Sequence, residues 1–196
     1  EQTGMRHFDI APRNRNRVTL IGSLTPMANA ALNVSIAAGK DDYIQSVFGL
    51  RDNTHRVYTV SFDAAPTEKF TFGPSYSYER YNALSRSRQA STAAQFNDAS
   101  RNWATDATDR VHSFILAASL TKIADKVDVR VSYDFNLARA LYNYVAGAVP
   151  DRTLPEEVVV ASTLPPPTQL PPTRSQLQRG EADLTYALTN RLALGV

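Results

Sequence analysis

Polar and apolar residues alternate strictly along the stretch Val127–Leu137, VDVRVSYDFNL. Every second position is Val, Tyr, Phe or Leu, and the positions between them are Asp, Arg, Ser or Asn. Because the side chains of a strand point alternately to its two sides, this pattern predicts a β-strand with one apolar and one polar face. About 9 to 11 tilted residues are also enough for a β-strand to cross the hydrocarbon core of a bilayer. The stretch therefore fits either a soluble sheet or a membrane strand.

The same alternation recurs along most of the chain. Clear segments are residues 32–39, 56–65, 70–79, 111–121 and 181–188, a segment at 18–25 could be apolar on either side, and a last strand is expected after residue 191. Pro74 lies inside one of these segments and cannot donate a ladder hydrogen bond, so it predicts an edge strand or a bulge at that point. The pattern as a whole predicts an all-β protein built from consecutive hairpins.

The connections between these segments alternate in length. Short turns are predicted at residues 26–29, 66–68, 122–126 and 189–191, and longer loops at 40–55, 81–109 and 138–177. Short turns at one end and long loops at the other are typical of outer-membrane barrels. We therefore predict an antiparallel transmembrane β-barrel, of which residues 1–196 form a single region of about seven to eight strands within a larger barrel. Residues 138–177 are expected to form a long, stiff proline-rich loop within it, since seven of the 11 prolines lie between Pro150 and Pro172.

A soluble β-sandwich is the structural alternative, because its strands also alternate, with the apolar side against a second sheet. The predicted strands are longer than the about 5 to 6 residues usual in globular sheets. Aromatic residues such as Tyr58, Tyr78 and Tyr133 lie toward strand ends, where the aromatic girdles of membrane barrels are found. These features favour the membrane barrel over the sandwich.

The alternation assigns side chains to the two faces. Expected to face the lumen are Asp63, Asp128, Arg130, Asp134, Glu181 and Asp183. Expected to face lipid are Tyr58, Phe62, Phe70, Phe72, Phe114, Leu116, Val129, Val131, Tyr133, Phe135, Leu184 and Tyr186. The polar set is expected either to contact a partner in the lumen or to be solvated and mutually paired.

Composition excludes several classes of function. The net charge is only +2, so no nucleic-acid surface is expected, and no stretch is long and apolar enough for a transmembrane helix. The absence of cysteine excludes disulfides, thiolate metal sites and covalent haem attachment on this chain. Catalysis is not predicted, because the sequence has neither a Gly-x-Ser-x-Gly elbow nor an HExxH motif. No metal site is predicted either: Asp98, Asp106 and Asp109 could in principle bind calcium, but their spacing fits no EF-hand and favours a solvated acidic loop.

Four segments resemble a known family. They are FDIAPRNRNRVTL, the run from GKDDYIQSVFGL to FGPSYSYERY, NWATDATDRVHSF and KVDVRVSYDFNLAR, with DDY followed by FGL at 41–50 and Trp103 followed by Asp106 and Asp109. Together they resemble the outer-membrane porin of porin–cytochrome electron conduits, the MtrB/PioB family. The resemblance covers most of the chain and corresponds to the C-terminal part of a larger barrel.

The resemblance implies a location in the bacterial outer membrane and a role as a sheath. The barrel would hold a periplasmic multihaem c-type cytochrome for extracellular electron transfer, with an extracellular cytochrome as a further candidate partner. The haems would belong to the partner, and this chain would carry no cofactor. Two alternatives share much of the sequence pattern: a diffusion porin or transporter barrel, and a soluble β-sandwich binding module.

Overall fold

The structure, a computed structural model, describes residues 11–44, 46–146, 162–189 and 192–195, and most of these belong to one antiparallel sheet. Its strands are β1 (Asn14–Met27), β2 (Ala30–Asp42), β3 (Gly49–Thr67), β4 (Phe70–Arg88), β5 (Asn102–Ile123), β6 (Val127–Ala146), β7 (Thr173–Thr189) and β8 (Leu192–Gly195). Each strand pairs with the next along the chain, so the sheet order is the sequence order. This confirms the prediction of an all-β antiparallel fold of about seven to eight strands. Within the described residues β1 and β8 do not pair with each other, so the sheet is not closed.

The short connections meet at one end of the sheet, which we call the turn end. They comprise residues 28–29, 68–69 and 124–126, close to the predicted positions. Neighbouring connections are joined by backbone hydrogen bonds: Ala65 N–H donates to the Asn29 carbonyl (2.8 Å), Thr121 N–H to Lys69 (2.8 Å) and Ala187 N–H to Lys126 (2.7 Å). The predicted turn at 189–191 includes residues 190 and 191, which lie outside the described residues. The opposite end, where the longer connections emerge, is called the loop end.

At the loop end the strands are much longer than predicted. β4 and β5 remain paired from Phe70 opposite Leu120 up to Arg88 opposite Asn102, so the predicted loop at 81–109 is wrong except for residues 89–101. The physical reason is that backbone pairing needs no alternation of side chains. Where both faces of a sheet contact water, a strand carries polar residues on both sides and loses its period of two.

Two other predicted loops are shortened for the same reason. β2 continues to Asp42 and β3 begins at Gly49, so the expected loop at 40–55 contracts to residues 43–48. Residues 138–146 and 173–177 are strand, which narrows the proline-rich loop from 138–177 to 147–172. Of that loop, residues 147–161 lie outside the described residues.

Pro74 does not have the expected consequence. It lies in an interior strand, with Leu116 of β5 directly opposite. On the other side the β3–β4 pairing breaks after Ser61 and Ser75 and resumes at Ala64 and Phe72 in the same register. The proline thus interrupts the local ladder without an edge or a bulge, since the β5 side of the strand still holds it in place.

Closely packed side chains concentrate at the loop end. Tyr43, Phe48 and Ala104 are almost fully buried there, and the Arg88 guanidinium lies 4.9 Å from the centre of the Phe48 ring. The 89–101 connection contains two short 3₁₀ helices, Ala93–Asn97 and Ala99–Arg101. In the described part of the chain, no helix combines the length and the hydropathy needed to cross a membrane.

Candidate functional site

Strand pairing produces two continuous faces, because residues directly opposite each other point to the same side of the sheet. One row runs from Ile36 through Tyr58, Tyr78 and His112 to Leu137, across five strands. We call the side that carries this row the apolar face. All the residues predicted to face lipid lie on it: Tyr58, Phe62, Phe70, Phe72, Phe114, Leu116, Val129, Val131, Tyr133, Phe135, Leu184 and Tyr186.

The apolar face is exposed. Val131 keeps 50% of its surface accessible, and Phe114 and Tyr133 keep 40% each. The described residues form one sheet, so no second sheet covers these side chains as a β-sandwich requires. The exposed apolar side chains are contiguous across β1 to β6, while β7 carries Gln176 and Gln178 on the same side. An apolar surface of this size indicates contact with something other than water.

Aromatic clusters border the apolar face at both ends. Toward the loop end, the Tyr58 and Tyr78 rings lie 6.3 Å apart and the Tyr78 and His112 rings 4.9 Å apart. Toward the turn end, Phe72 lies 5.9 Å from the rings of both Phe62 and Phe70. An apolar band flanked by two aromatic borders is typical of membrane barrels.

The opposite side, the polar face, carries all the residues predicted to line the lumen: Asp63, Asp128, Arg130, Asp134, Glu181 and Asp183. All but Asp134 lie toward the turn end and are partly paired there, and Asp134 lies nearer the middle of its strand. Arg130 lies directly opposite Asp183, and Glu181 forms an ion pair with Arg179 of its own strand. A hydrogen-bonded chain runs from the Ser23 hydroxyl to Asn33 Oδ1 (2.7 Å), and from Asn33 Nδ2 to Asp63 Oδ2 (3.2 Å).

The middle of the polar face carries short, uncharged side chains. One row consists of Ser35, Thr59, Ser77, Ser113 and Asn136, each directly opposite the next. A depression of about 810 Å³ lies nearer the turn end, and several of the charged residues of the polar face line it. The wall is therefore low along this row, with Glu79 and Asp134 in the neighbouring rows and more charges toward the turns.

At the loop end of the polar face, Asp41 is held by two arginines. Arg15 donates from Nε to Oδ1 (2.7 Å) and from Nη2 to Oδ2 (2.8 Å), and Arg13 lies 3.6 Å away. The hydrogen bonds from Arg15, more than its charge, hold the pKa of the Asp41 carboxyl below its ordinary value. This cluster ties β1 to β2 above the apolar band.

The aspartates considered for calcium do not converge. Asp98 lies in the 89–101 connection and accepts hydrogen bonds from the Ser100 hydroxyl (2.6 Å) and N–H (3.0 Å), which lower its pKa. Asp106 and Asp109 belong to β5 and, three positions apart, point to opposite sides of the sheet. The expectation of one solvated acidic loop is therefore wrong for these two. In the described ranges no three potential metal ligands come together.

Sequence reasoning missed how the proline-rich segment is anchored. Trp103 and Tyr144, with rings 6.1 Å apart, lie beside Pro165–Pro167. The Gln169 side chain accepts from the Tyr144 N–H (2.8 Å) and donates to the Tyr144 carbonyl (2.7 Å). The described end of this loop is thus attached to the polar side of β5 and β6. The aromatic residues were visible in the sequence, but their pairing with the prolines was not.

It also missed a row of arginines. Arg56, Arg80, Arg110, Arg139 and Arg174 lie directly opposite one another across β3 to β7, on the side of the apolar face and next to its aromatic border at the loop end. We call these residues the arginine row. Arg56, Arg80, Arg110 and Arg139 each lie just beyond the apolar run of their own strand, which is a signal in the sequence. In β7, Gln176, Gln178 and Gly180 separate Arg174 from the apolar positions. The alignment of the five arginines depends on four strand registers that the sequence alone does not provide.

Comparison with known proteins agrees with this geometry. The model of a family described as outer membrane beta-barrel porin, MtrB/PioB, matches residues 1–196. No curated protein matches the chain. The match covers the whole sequence, and the structure shows the long antiparallel strands, the alternating connections and the aromatic borders of such barrels. The chain therefore belongs to the MtrB/PioB family of β-barrel porins of the bacterial outer membrane.

Proposed function

We propose that this sheet forms part of the wall of a barrel that encloses a multihaem c-type cytochrome and holds it across the outer membrane for extracellular electron transfer. In this proposal the apolar face contacts hydrocarbon and the polar face lines the lumen. The chain itself performs no catalysis and binds no cofactor. Electrons pass through the haems of the enclosed partner, and an extracellular cytochrome is a candidate for the outer opening.

The orientation follows from the physics of the two faces. In hydrocarbon an unpaired backbone group costs several kcal/mol, so a membrane sheet must pair all its strands. The edges at β1 and β8 therefore need pairing partners in the assembled barrel. The apolar run from His112 to Leu120 in β5 corresponds to a band of about 20 Å for a strand tilted by about 40°, close to the height expected for a membrane barrel.

The single observation that carries the sheath proposal is the low centre of the polar face. A wall of Ser, Thr and Asn side chains offers hydrogen bonds but projects little into the lumen, so a folded protein can approach the backbone closely. The row Ser35, Thr59, Ser77, Ser113 and Asn136 maintains this across five strands. Because the chain has no cysteine, haem bound through thioether links must be carried by the partner.

A second candidate function is a diffusion porin, and the charges of the polar face favour it. Asp63, Arg130 and Asp183 line the same depression near the turn end. Charged side chains lining a pore select ions and polar solutes by their field. Such a pore would be filled with water rather than with protein.

Haem content separates the two candidates. The full-length protein, purified in detergent from its native host, should carry haem absorbance at a fixed ratio to the barrel. Ser113→Trp places a large ring in the low centre of the polar face and should lower that ratio several-fold. Ala118→Trp is the matched control, because it makes the same change in the same strand on the apolar face, where an indole contacting lipid is tolerated.

An open, ion-conducting pore without haem in planar bilayers would contradict the sheath and support the diffusion porin. Equal haem ratios in the two tryptophan variants would contradict the assignment of the low wall as the contact surface. Heat-dependent mobility in gel electrophoresis verifies that both variants are folded.

A further inference from the structure

We propose that the arginine row binds the phosphate groups of lipid headgroups in the outer leaflet. The site consists of Arg56, Arg80, Arg110, Arg139 and Arg174, and its ligand is a phosphorylated lipid. This inference rests on the outer-membrane location of the family and is independent of what fills the lumen.

Five positive charges lie side by side in the arginine row. Like charges directly opposite each other on neighbouring strands are destabilising, and this row repeats that arrangement across four consecutive strand pairs. Among the described residues, no carboxylate forms an ion pair with any of these five arginines, whereas Arg13 and Arg15 on the polar face share Asp41. An uncompensated row of this kind favours the binding of anions from outside the sheet.

The five arginines differ in exposure and in hydrogen bonding. Arg56, Arg139 and Arg174 are exposed, and Arg80 and Arg110 are half-buried. Arg80 donates from Nε to Asn82 Oδ1 (3.0 Å), which leaves its terminal nitrogens for another acceptor. The Nε of Arg110 is buried and has no hydrogen-bond partner within the described part of the chain. A buried donor without an acceptor is costly, so a small shift of this side chain toward an anion in front of the row would be favourable.

The position of the arginine row along the strands determines its height in the membrane. Each arginine lies two positions beyond the border row of Tyr58, Tyr78, His112, Leu137 and Gln176. Two residues of a tilted strand correspond to about 5 Å along the membrane normal. Aromatic girdles lie at headgroup level, so the guanidinium groups reach the layer of lipid phosphates. The row is at the loop end, which in outer-membrane barrels faces the outside.

The chemistry of the guanidinium group favours a phosphate ligand. The guanidinium group binds phosphate with two parallel hydrogen bonds, and several groups aligned at the strand spacing of about 4.8 Å suit a headgroup with more than one phosphate. A free phosphate ion could occupy one or two arginines but would not gain from the adjoining apolar face. Acyl chains along Tyr78 and Phe114 would add this second contribution.

The test measures lipid binding by the full-length protein. The protein is reconstituted into phosphatidylcholine nanodiscs containing a small fraction of a bis-phosphorylated outer-leaflet glycolipid, and bound glycolipid is counted by native mass spectrometry. The double variant Arg80→Gln/Arg110→Gln should bind the glycolipid about thirtyfold more weakly, as expected for two basic residues at an anionic lipid surface. Arg80→Lys/Arg110→Lys keeps the charge but loses the paired hydrogen bonds, and should lie between the wild type and the glutamine variant.

Arg15→Gln is the matched control, since it removes an arginine at the same end of the sheet but on the polar face. It should leave glycolipid binding unchanged. Equal binding by the wild type and the double glutamine variant would overturn the proposal, and so would equal binding of a dephosphorylated glycolipid. Displacement of the glycolipid by millimolar inorganic phosphate would show a free-anion site and would also overturn it.

A measurement on the wild type alone covers the case in which the double variant does not fold. Raising the salt concentration should weaken glycolipid retention, because exposed charges are screened. Retention that does not respond to salt would contradict an electrostatic site. Loss of haem from the lumen has no bearing on any of these results, so failure of the sheath proposal and failure of this one are distinguishable.

Discussion

The two faces of the sheet share one backbone and one set of strand registers but have different side chains. On the apolar face the β6 positions around Val131 are Val, Tyr and Phe, and half of the Val131 surface remains exposed. On the polar face the intervening positions are Arg, Ser and Asp. In a soluble protein the exposed side would be the polar one. The contrast indicates that the two sides contact different solvents. Most of the predictions below change one side while a matched variant changes the other, and one concerns the turn that keeps the two sides in register.

The largest effect is expected from a charge placed on the apolar face. Tyr133→Arg should destabilise the folded barrel by about 2 to 4 kcal/mol, because Tyr133 lies opposite Leu116 at the centre of the His112–Leu120 run and a guanidinium near the bilayer midplane must be desolvated. Ser132→Arg is the matched change on the polar face, opposite Glu181, and should be much milder. Urea unfolding in lipid vesicles measures both. Equal costs at the two positions would show that the faces do not differ in solvent.

The contrast between the faces was predictable from the sequence, whereas the length of the strands was not. Within the bilayer each strand has one side in lipid, so residues such as Val129 and Arg130 alternate clearly. Beyond the arginine row both sides of the sheet contact water, and the segment from Tyr81 to Arg88 has no period although it is fully paired. The alternation of polar and apolar residues therefore reveals a strand only where its two sides contact different solvents, and it gives no signal where both sides contact water.

The candidate functional sites, like the fold, were predictable from the sequence only in part. The charged residues of the polar face could be assigned strand by strand, since each assignment needs only local alternation. The arginine row and the contact of Trp103 with the proline segment depend on register between strands or on the path of a loop. These properties are set by the turns and by tertiary packing, and they became visible only when Arg56 was found opposite Arg80 and Arg80 opposite Arg110.

The next largest effect concerns side-chain volume on the polar face of β2. A Cβ at Gly39 would overlap the His55 ring and lie 3.1 Å from the Asn16 carbonyl oxygen. Gly39→Ala should therefore cost about 1 to 3 kcal/mol through overpacking. Gly22 in β1 is on the apolar face, and a Cβ added there would meet no atom within 4 Å, so Gly22→Ala should be neutral or slightly stabilising. Thermal unfolding compares the two variants, and a larger loss for Gly22→Ala would contradict the assignment of the close contact.

A smaller gain is expected at the turn that sets the register of β5 and β6. Ala124 has a φ of 48°, a left-handed conformation that is unfavourable for alanine. Ala124→Gly should stabilise the fold by about 0.5 to 1 kcal/mol, since glycine adopts this conformation freely. A slip of one residue at this turn would exchange the two faces of β6. A more stable turn should therefore also stabilise the register that keeps the two faces distinct.

Asp125 provides the control for this turn. It also has a positive φ of 60°, but aspartate tolerates that region better than alanine and lies 3.7 Å from Lys69. Asp125→Gly should therefore gain less than Ala124→Gly or lose stability. The ranking of the two variants in urea unfolding decides the point, and a clear gain for Asp125→Gly with none for Ala124→Gly would contradict it.

The smallest effect concerns the arginines of the two faces at the loop end. Asp41, whose ordinary pKa is 3.8, has a lowered pKa in the folded protein because Arg15 donates to its carboxylate. The stabilisation is therefore fully present above the ordinary pKa and is lost as the pH falls through the lowered value. Hydrogen exchange of the paired amides near Arg15, corrected for its intrinsic pH dependence, should stay slow from pH 7 to about 4 and accelerate below.

Arg15→Gln should move this acceleration to higher pH, because the carboxylate loses its main donor. Arg56→Gln is the matched change in the arginine row, and it should leave the transition where it is, since no hydrogen bond joins Arg56 to Asp41 in the described residues. If both variants shift the transition equally, arginines on both faces affect the Asp41 pKa to the same extent. The distinction between the ion-paired arginines of the polar face and the arginine row, which forms no ion pair within the described residues, would then be lost. A shift in Arg15→Gln alone would show that the carboxylate compensates charge on one side of the sheet only, which leaves the other side to an external anion.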